Sequence, residues 1–156
     1  MKKLKVFIGF LIGFVIFSCS SESNDQSQQL AKEELLVQGS PWTFEHYKMI
    51  NLIDAGNSTM TQQEIETKTN LDVSGNQISF SQNGTGFTSI NGNTESIWEW
   101  EIIKQNQLKI IFCEDEFEIY DNLTVSSNEL MIVYEAATYD PDAEYEVLHN
   151  GKYFYN

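Results

Sequence analysis

From Trp42 onward the chain alternates apolar and polar positions in short runs broken by turn residues, the period of half-buried β-strands. Trp42-Thr43-Phe44-Glu45-His46 opens the series, and continuing its phase sends His46 inward with Trp42 and Phe44. Gln77–Ser81 and Thr85–Ile90 flank Asn83-Gly84, the strongest short hairpin signal in the chain. Within Ile97–Ile103, Trp98, Trp100 and Ile102 share one face while Glu99 and Glu101 take the other. Gln105-Asn106 turns into Leu108–Phe112, Glu114-Asp115-Glu116 into Phe117–Leu123, and Ser126-Ser127-Asn128-Glu129 into Leu130–Ala136. Asn150-Gly151 predicts a last hairpin, between Tyr145–His149 and Lys152–Tyr155.

The expected fold class is all-β, an antiparallel meander of about eight strands, because such short connections join only antiparallel neighbours. Closing the meander into a barrel removes its exposed edges. A sandwich of the immunoglobulin type needs longer crossovers between its sheets, so the turns favour a barrel. One connection is long. Asp54–Gly75 is rich in Thr, Gln and Asn, and Thr61-Gln62-Gln63-Glu64 has the form of a capping box that starts a short helix. Such a segment serves either as a lid over one barrel mouth or as a plain surface loop.

The N-terminus follows another pattern. Lys2, Lys3 and Lys5 precede Val6–Phe17, apolar except for Gly9 and Gly13, as in a bacterial export signal. The apolar run is shorter than the roughly 20 residues that span a bilayer. Ile16-Phe17-Ser18-Cys19 then resembles the lipobox of bacterial lipoproteins. That resemblance implies cleavage before Cys19, a diacylglycerol on its thiol and an acyl chain on its new amino group. Two or three chains give lasting attachment, whereas one chain anchors only marginally at about 0.8 kcal/mol per buried CH₂. The expected organisation is therefore a signal over residues 1–18, lipidated Cys19 with a flexible polar tether over 19–35, and the barrel over 36–156. Leu30–Val37 is expected to add a helical turn or two. The acids Glu22 and Asp25, just after the lipid site, resemble the signals that send lipoproteins of the Bacteroidetes to the outer face of the outer membrane. Lipidation leaves Cys113 without a disulfide partner, and the acids that follow it disfavour the reactive thiolate.

Several short motifs come in a recognisable order: Gly39-Ser40-Pro41-Trp42, Ile78-Ser79-Phe80 before Asn83-Gly84-Thr85, Ile97-Trp98-Glu99-Trp100, Leu108-Lys109-Ile110, and Leu123 to Leu130. Together they resemble the lipocalin-like domains of Bacteroidetes lipoproteins, over roughly residues 36–156. The resemblance implies a barrel that binds a small molecule without catalysis.

Charge and residue chemistry narrow the function further. The 156-residue chain carries 9 Lys and no Arg against 23 acids, a formal charge of −14, which repels phosphate backbones and excludes nucleic acid as a partner. With 41% hydrophobic and 13% aromatic residues it still has enough apolar surface to build a core. His46 and His149 are the only histidines, and no nucleophile motif accompanies them, so no enzyme and no cofactor are expected. Asp140-Pro141-Asp142-Ala143-Glu144 alternates oxygen ligands as calcium loops do, but Pro141 fits an ordinary turn and the wider ligand set is missing, so a solvated acidic turn is expected and no metal is assigned.

Phe80, Trp98, Trp100, Phe112, Phe117 and Tyr134 fall on the apolar phase of their strands and are expected to face inward. There they either fill the barrel or line a pocket for a small apolar ligand. The sequence thus points to a monomeric, lipid-anchored envelope protein of the outer membrane that binds such a ligand. An accessory interaction protein of an outer-membrane or cell-surface complex is the competing class.

Overall fold

The computed structural model describes residues 22–156; residues 1–18, read as an export signal, and Cys19 lie outside the described residues. Helix α1 (Glu22–Gln38) leads into strand β1 (Trp42–Asp54), and helix α2 (Gln62–Asp72) follows. The remaining strands are β2 (Asn76–Phe80), β3 (Thr85–Ile90), β4 (Asn93–Lys104), β5 (Gln107–Cys113), β6 (Glu116–Val125), β7 (Leu130–Asp140) and β8 (Tyr145–Tyr155). Each strand pairs antiparallel with its sequence neighbour, and β1 pairs with β8, so the eight strands form a closed meander barrel, as the short turns imply.

The strongest local signals form as expected. At Asn83-Gly84 the Gly takes φ +80°, and the Asn83 side chain accepts from the Thr85 N–H at 3.1 Å and its hydroxyl at 2.7 Å. Thr61 caps α2 with the full capping box: its hydroxyl accepts from the Glu64 N–H, and the Glu64 carboxylate accepts from the Thr61 N–H.

Asn150-Gly151 does not turn the chain. β8 runs unbroken through it, paired to Asn51 and Met49 on one side and to Glu135 and Tyr134 on the other. The glycine serves packing instead: a Cβ there would lie 2.3 Å from the Tyr47 ring, which occupies that space. Between long partner strands, two continuous ladders outweigh a local turn preference.

Helix α1 also reaches further toward the N-terminus than expected, over residues assigned to the flexible tether, and it docks on the barrel. Gln29 Nε2 donates to the Ile102 carbonyl at 2.6 Å, and Lys32 Nζ to the Gln105 carbonyl at 2.5 Å. Leu36 is fully buried. Its carbonyl accepts from Trp42 Nε1 at 2.8 Å and from the Ser40 hydroxyl at 2.8 Å. These contacts cap the end of the barrel where Ile102, Leu108, Leu123 and Leu130 pack together.

The opposite end is open along one seam. β1 and β2 share just two paired positions, Trp42 with Ile78 and Thr43 with Gln77, before they diverge. A diverging strand leaves backbone groups that must find partners. Helix α2 supplies them. Asn70 accepts from the Tyr47 N–H at 2.7 Å and donates to the Tyr47 carbonyl at 3.2 Å, so one side-chain amide stands in for a missing strand. Glu66 accepts from the Met49 N–H at 3.0 Å. The long polar segment therefore does structural service at the mouth of the barrel.

Candidate functional site

The interior divides into a solid half and a hollow half. Toward the sealed end, the Phe80 ring meets Trp98 at 5.4 Å and Trp100 at 5.3 Å, both edge to face. Trp98 Nε1 donates to the Thr88 hydroxyl and Trp100 Nε1 to the Thr85 carbonyl, which satisfies both buried indoles. All three rings are buried and belong to the packed core. Both indoles pack on the one Phe80 ring.

Two of the expected inward aromatics do not face the interior. Phe117 is 52% exposed, paired with Ile111 on the outer wall and covered by Lys109 Nζ 4.8 Å above its ring. The cause is a register shift in β6 between Asp121 and Thr124. Leu123 points inward, and counting back by twos makes Phe117 inward too, but the shift inverts the parity, so Glu118 and Tyr120 take the inner face. Phe112 keeps the phase of Leu108 and Ile110, but it sits at the shift between Ile111 and Cys113 where the hairpin begins, 38% exposed at the rim.

His46 is displaced by the same device. A shift between Phe44 and His46 in the β1–β8 ladder turns Tyr47 inward and leaves His46 outside, stacked on Phe154 at 4.3 Å. His149, given no inward role by the sequence reading, is fully buried.

Beneath α2 lies a cavity of about 360 Å³, near the lower end of the roughly 300–1,000 Å³ typical of ligand pockets. Of the six aromatics expected to fill the barrel or line a pocket, Tyr134 alone lines this cavity. It is joined by Tyr120, Tyr153 and Tyr155, with Ile78, Ile132 and Ala136 between them. Thr69, Asp72 and Val73 at the end of α2, together with Asn76 and Thr88, form its polar border.

Inside the barrel beside these tyrosines is a carboxylate. Tyr134 donates to Glu118 Oε1 at 2.9 Å, and Tyr120 donates to Glu118 Oε2. The two rings stack at 4.8 Å. An inward carboxylate is tolerated because both oxygens are paired. Burial, and next the bond to Glu118, push Tyr134 up to about 12 and Tyr120 higher still. Burial raises Tyr153 and Tyr155 as well. All four phenols are therefore neutral at physiological pH.

Asn76 contributes the remaining chemistry. Its Oδ1 is buried and has no hydrogen-bond partner, a condition it shares with Asn150 Oδ1 among the described residues. An orphaned buried acceptor costs about 1–3 kcal/mol until something donates to it.

A second buried polar array fixes α2 over the mouth. The Thr69 hydroxyl donates to the Ile65 carbonyl at 2.9 Å, so it must accept from Thr138 at 3.0 Å. Thr138, its proton spent, accepts from His149 Nε2–H at 2.8 Å. That leaves Nδ1 bare, to accept from the Tyr47 hydroxyl at 2.6 Å. Each donor in the chain has one acceptor, which sets the neutral tautomer of His149. Burial holds its pKa below the usual 6.5.

The acidic loop is also structural. Asp140 is buried, and its carboxylate accepts from the Ser58 hydroxyl and from the N–H groups of Asp142 and Ala143. These bonds, that from Ser58 foremost, hold its pKa below the ordinary carboxylate value. Among the described residues no group of three or more His, Cys, Asp or Glu side chains is arranged to hold a metal.

The sequence pattern missed Glu118, Tyr120, Asn76, Tyr153 and Tyr155. The last two carry a readable signal, since Tyr153-Phe154-Tyr155 continues the phase of Val147 and His149, which the misread hairpin at Gly151 interrupted. Glu118 carries none, because an acid between Phe and Ile reads as solvent-facing.

An eight-stranded antiparallel meander barrel, sealed at one end by a helix and hollow beneath a second helix at the other, is what fold and site define. Comparison with protein-family models and with curated proteins finds no match to the chain.

Proposed function

We propose that this protein is a lipid-anchored envelope lipoprotein of the lipocalin-like kind that binds a small, largely apolar molecule without transforming it. The observation that carries the reading is the cavity under α2, with its tyrosine and aliphatic walls and a few polar groups at one side.

The anchor follows from the charged and apolar N-terminal runs and from Cys19. Helix α1 begins at Glu22 and is docked on the sealed end of the barrel from Gln29 onward. The sealed end then faces the bilayer, and the mouth faces water, from which a ligand arrives. The outer membrane is the expected site, and the anchored protein acts as a monomer. Cys19→Ser is expected to move the protein from the membrane fraction to the soluble fraction and to abolish incorporation of labelled palmitate. Unchanged labelling would refute the anchor.

Binding is tested by native mass spectrometry of the mature protein, repeated under denaturing conditions. Extra mass that leaves on denaturation is expected, and Ala136→Phe, which fills the cavity from β7, is expected to eliminate it while the circular dichroism spectrum stays β-rich. Equal occupancy in Ala136→Phe would place the ligand elsewhere.

The second reading, an accessory subunit of a surface complex, is favoured by the outer wall of β3 to β6. There Ile97 is 73% exposed beside Phe87, and Phe117 sits beside Ile111. A bare wild-type mass, together with a stoichiometric partner recovered by crosslinking on intact cells, would select it.

A further inference from the structure

We infer that the cavity under α2 selects a small organic cation, an aromatic or aliphatic body bearing a protonated amine, over neutral or anionic molecules of the same shape. The inference rests on the cavity being a ligand site, as proposed above, and it names the class of ligand.

The charge that can meet a ligand there is negative only, and the donors of the lining, the hydroxyls of Thr88, Tyr153 and Tyr155 and the Asn76 amide, are neutral. The hydroxyl protons of Tyr120 and Tyr134 are both committed to Glu118. What these phenols can still offer the cavity is oxygen lone pairs and electron-rich ring faces. Two further tyrosines, Tyr153 and Tyr155, add ring surface. Tyrosine faces attract ammonium groups, more strongly once water is excluded. Behind the first pair stands the Glu118 carboxylate, whose charge is spent on two neutral donors and is not cancelled by a cation. Asp72 adds an exposed carboxylate where α2 meets the cavity.

Asn76 supplies the directional element. Its Oδ1 lacks a donor, and the terminal torsion of an Asn side chain is soft, so a small rotation presents the oxygen to a ligand N–H. No Lys lines the cavity, and the chain has no Arg. An anionic ligand would therefore be buried without a counter-charge, the costliest arrangement available to it. The formal charge of −14 adds a field that draws cations toward the protein and weakens with salt.

The apolar remainder of the wall sets the other half of the specificity. Ile78, Ile132 and Ala136 give a hydrocarbon or aromatic ring a surface to bury against, so a bare inorganic cation gains little here. The volume excludes a full phospholipid and suits a ligand of one or two rings.

The test uses the mature protein in lipid nanodiscs and three probes of nearly equal shape: 2-phenylethylamine, 2-phenylethanol and phenylacetate. Affinities are measured by titration calorimetry at low and at physiological salt. The amine is expected to bind at least tenfold more tightly than phenylacetate, with the alcohol between them, and its advantage is expected to shrink as salt rises. Glu118→Gln is expected to lower the ratio of amine to alcohol affinity at least fivefold. Should that variant fold poorly, Asp72→Asn, on the exposed end of α2, is expected to lower the same ratio two- to threefold. Equal affinities for the three probes, or tightest binding of phenylacetate, would overturn the cation preference while leaving a ligand site in place. No binding of any probe, with a bare native mass, would overturn the ligand site itself and the preference with it.

Discussion

Trp42→Ala is expected to destabilise the protein by about 3–5 kcal/mol, read as a fall in the urea midpoint at unchanged slope. The ring is almost wholly buried, at 1% exposure, among the side chains that seal the barrel against α1. Its Nε1 holds the Leu36 carbonyl at 2.8 Å near the end of that helix, so truncation opens a cavity and frees a buried acceptor together. Against a total stability of about 5–15 kcal/mol, this is a large share of the fold. Trp42→Phe keeps most of the volume and loses the hydrogen bond, and is expected to cost about 1–2 kcal/mol. Gly39 belongs to the same unit, because a Cβ there would sit 2.1 Å from the indole. If Trp42→Ala shifts the midpoint no more than an exposed substitution does, α1 is not held by this ring.

That unit shows what a sequence can and cannot display. Gly39 and Trp42 are conspicuous as residues, but nothing in the polar run before them says that a helix docks there. The helix binds through a lysine and a glutamine reaching backbone carbonyls, and through one buried leucine, which leaves almost no amphipathic stripe to read. The turns at Asn83-Gly84 and the capping box at Thr61 were legible because their determinants lie within four residues of each other. Trp98, Trp100 and Ile102 were legible because β4 keeps its parity along that stretch.

Parity is also where reading failed. His46 and Phe117 were assigned to the inner face by counting in twos, and one extra residue in β1 and a shift in β6 reversed each count. A bulge is fixed by how two strands pair across the barrel, so the strand's own composition does not announce it. The consequence for function is direct. The carboxylate behind the cavity, Glu118, and one of the cavity's tyrosines came from the face read as outside, while Trp98 and Trp100, read as filling the barrel or lining a pocket, lie in the buried core. Closure of β1 on β8 is likewise a contact between distant segments, inferable only from the need to remove edges.

His149→Leu is expected to cost about 2–5 kcal/mol and to remove a pH dependence that the wild type shows. Leucine fills similar space but offers neither nitrogen, so the Tyr47 hydroxyl loses its acceptor and the Thr138 hydroxyl loses its donor, two buried groups at about 1–3 kcal/mol each. The pH term has a definite sign. Burial holds folded His149 below the unfolded value of 6.5, so as pH falls under 6.5 the unfolded chain takes up a proton that the folded chain refuses. Stability is therefore fully present above 6.5 and declines on acidification, by at most about 1.4 kcal/mol per pH unit for one group. Asp54, Glu64 and Asp140 also have lowered folded values, but their unfolded values of 3.8 and 4.5 confine their contribution to more acidic solution. The interval from about pH 6.5 to 5 thus isolates the histidine, and urea midpoints there should slope for the wild type and stay flat for His149→Leu. Parallel slopes would mean that the folded protein protonates His149 without penalty. Because Thr69 ends the hydrogen-bond chain on α2, the loss should appear first at the mouth, as faster amide exchange in Gln62–Asp72 at pH 5 than in α1. The group that steadies the fold on that side is also the one that keeps the helix seated over the cavity, so acid is expected to loosen ligand retention before it unfolds the barrel.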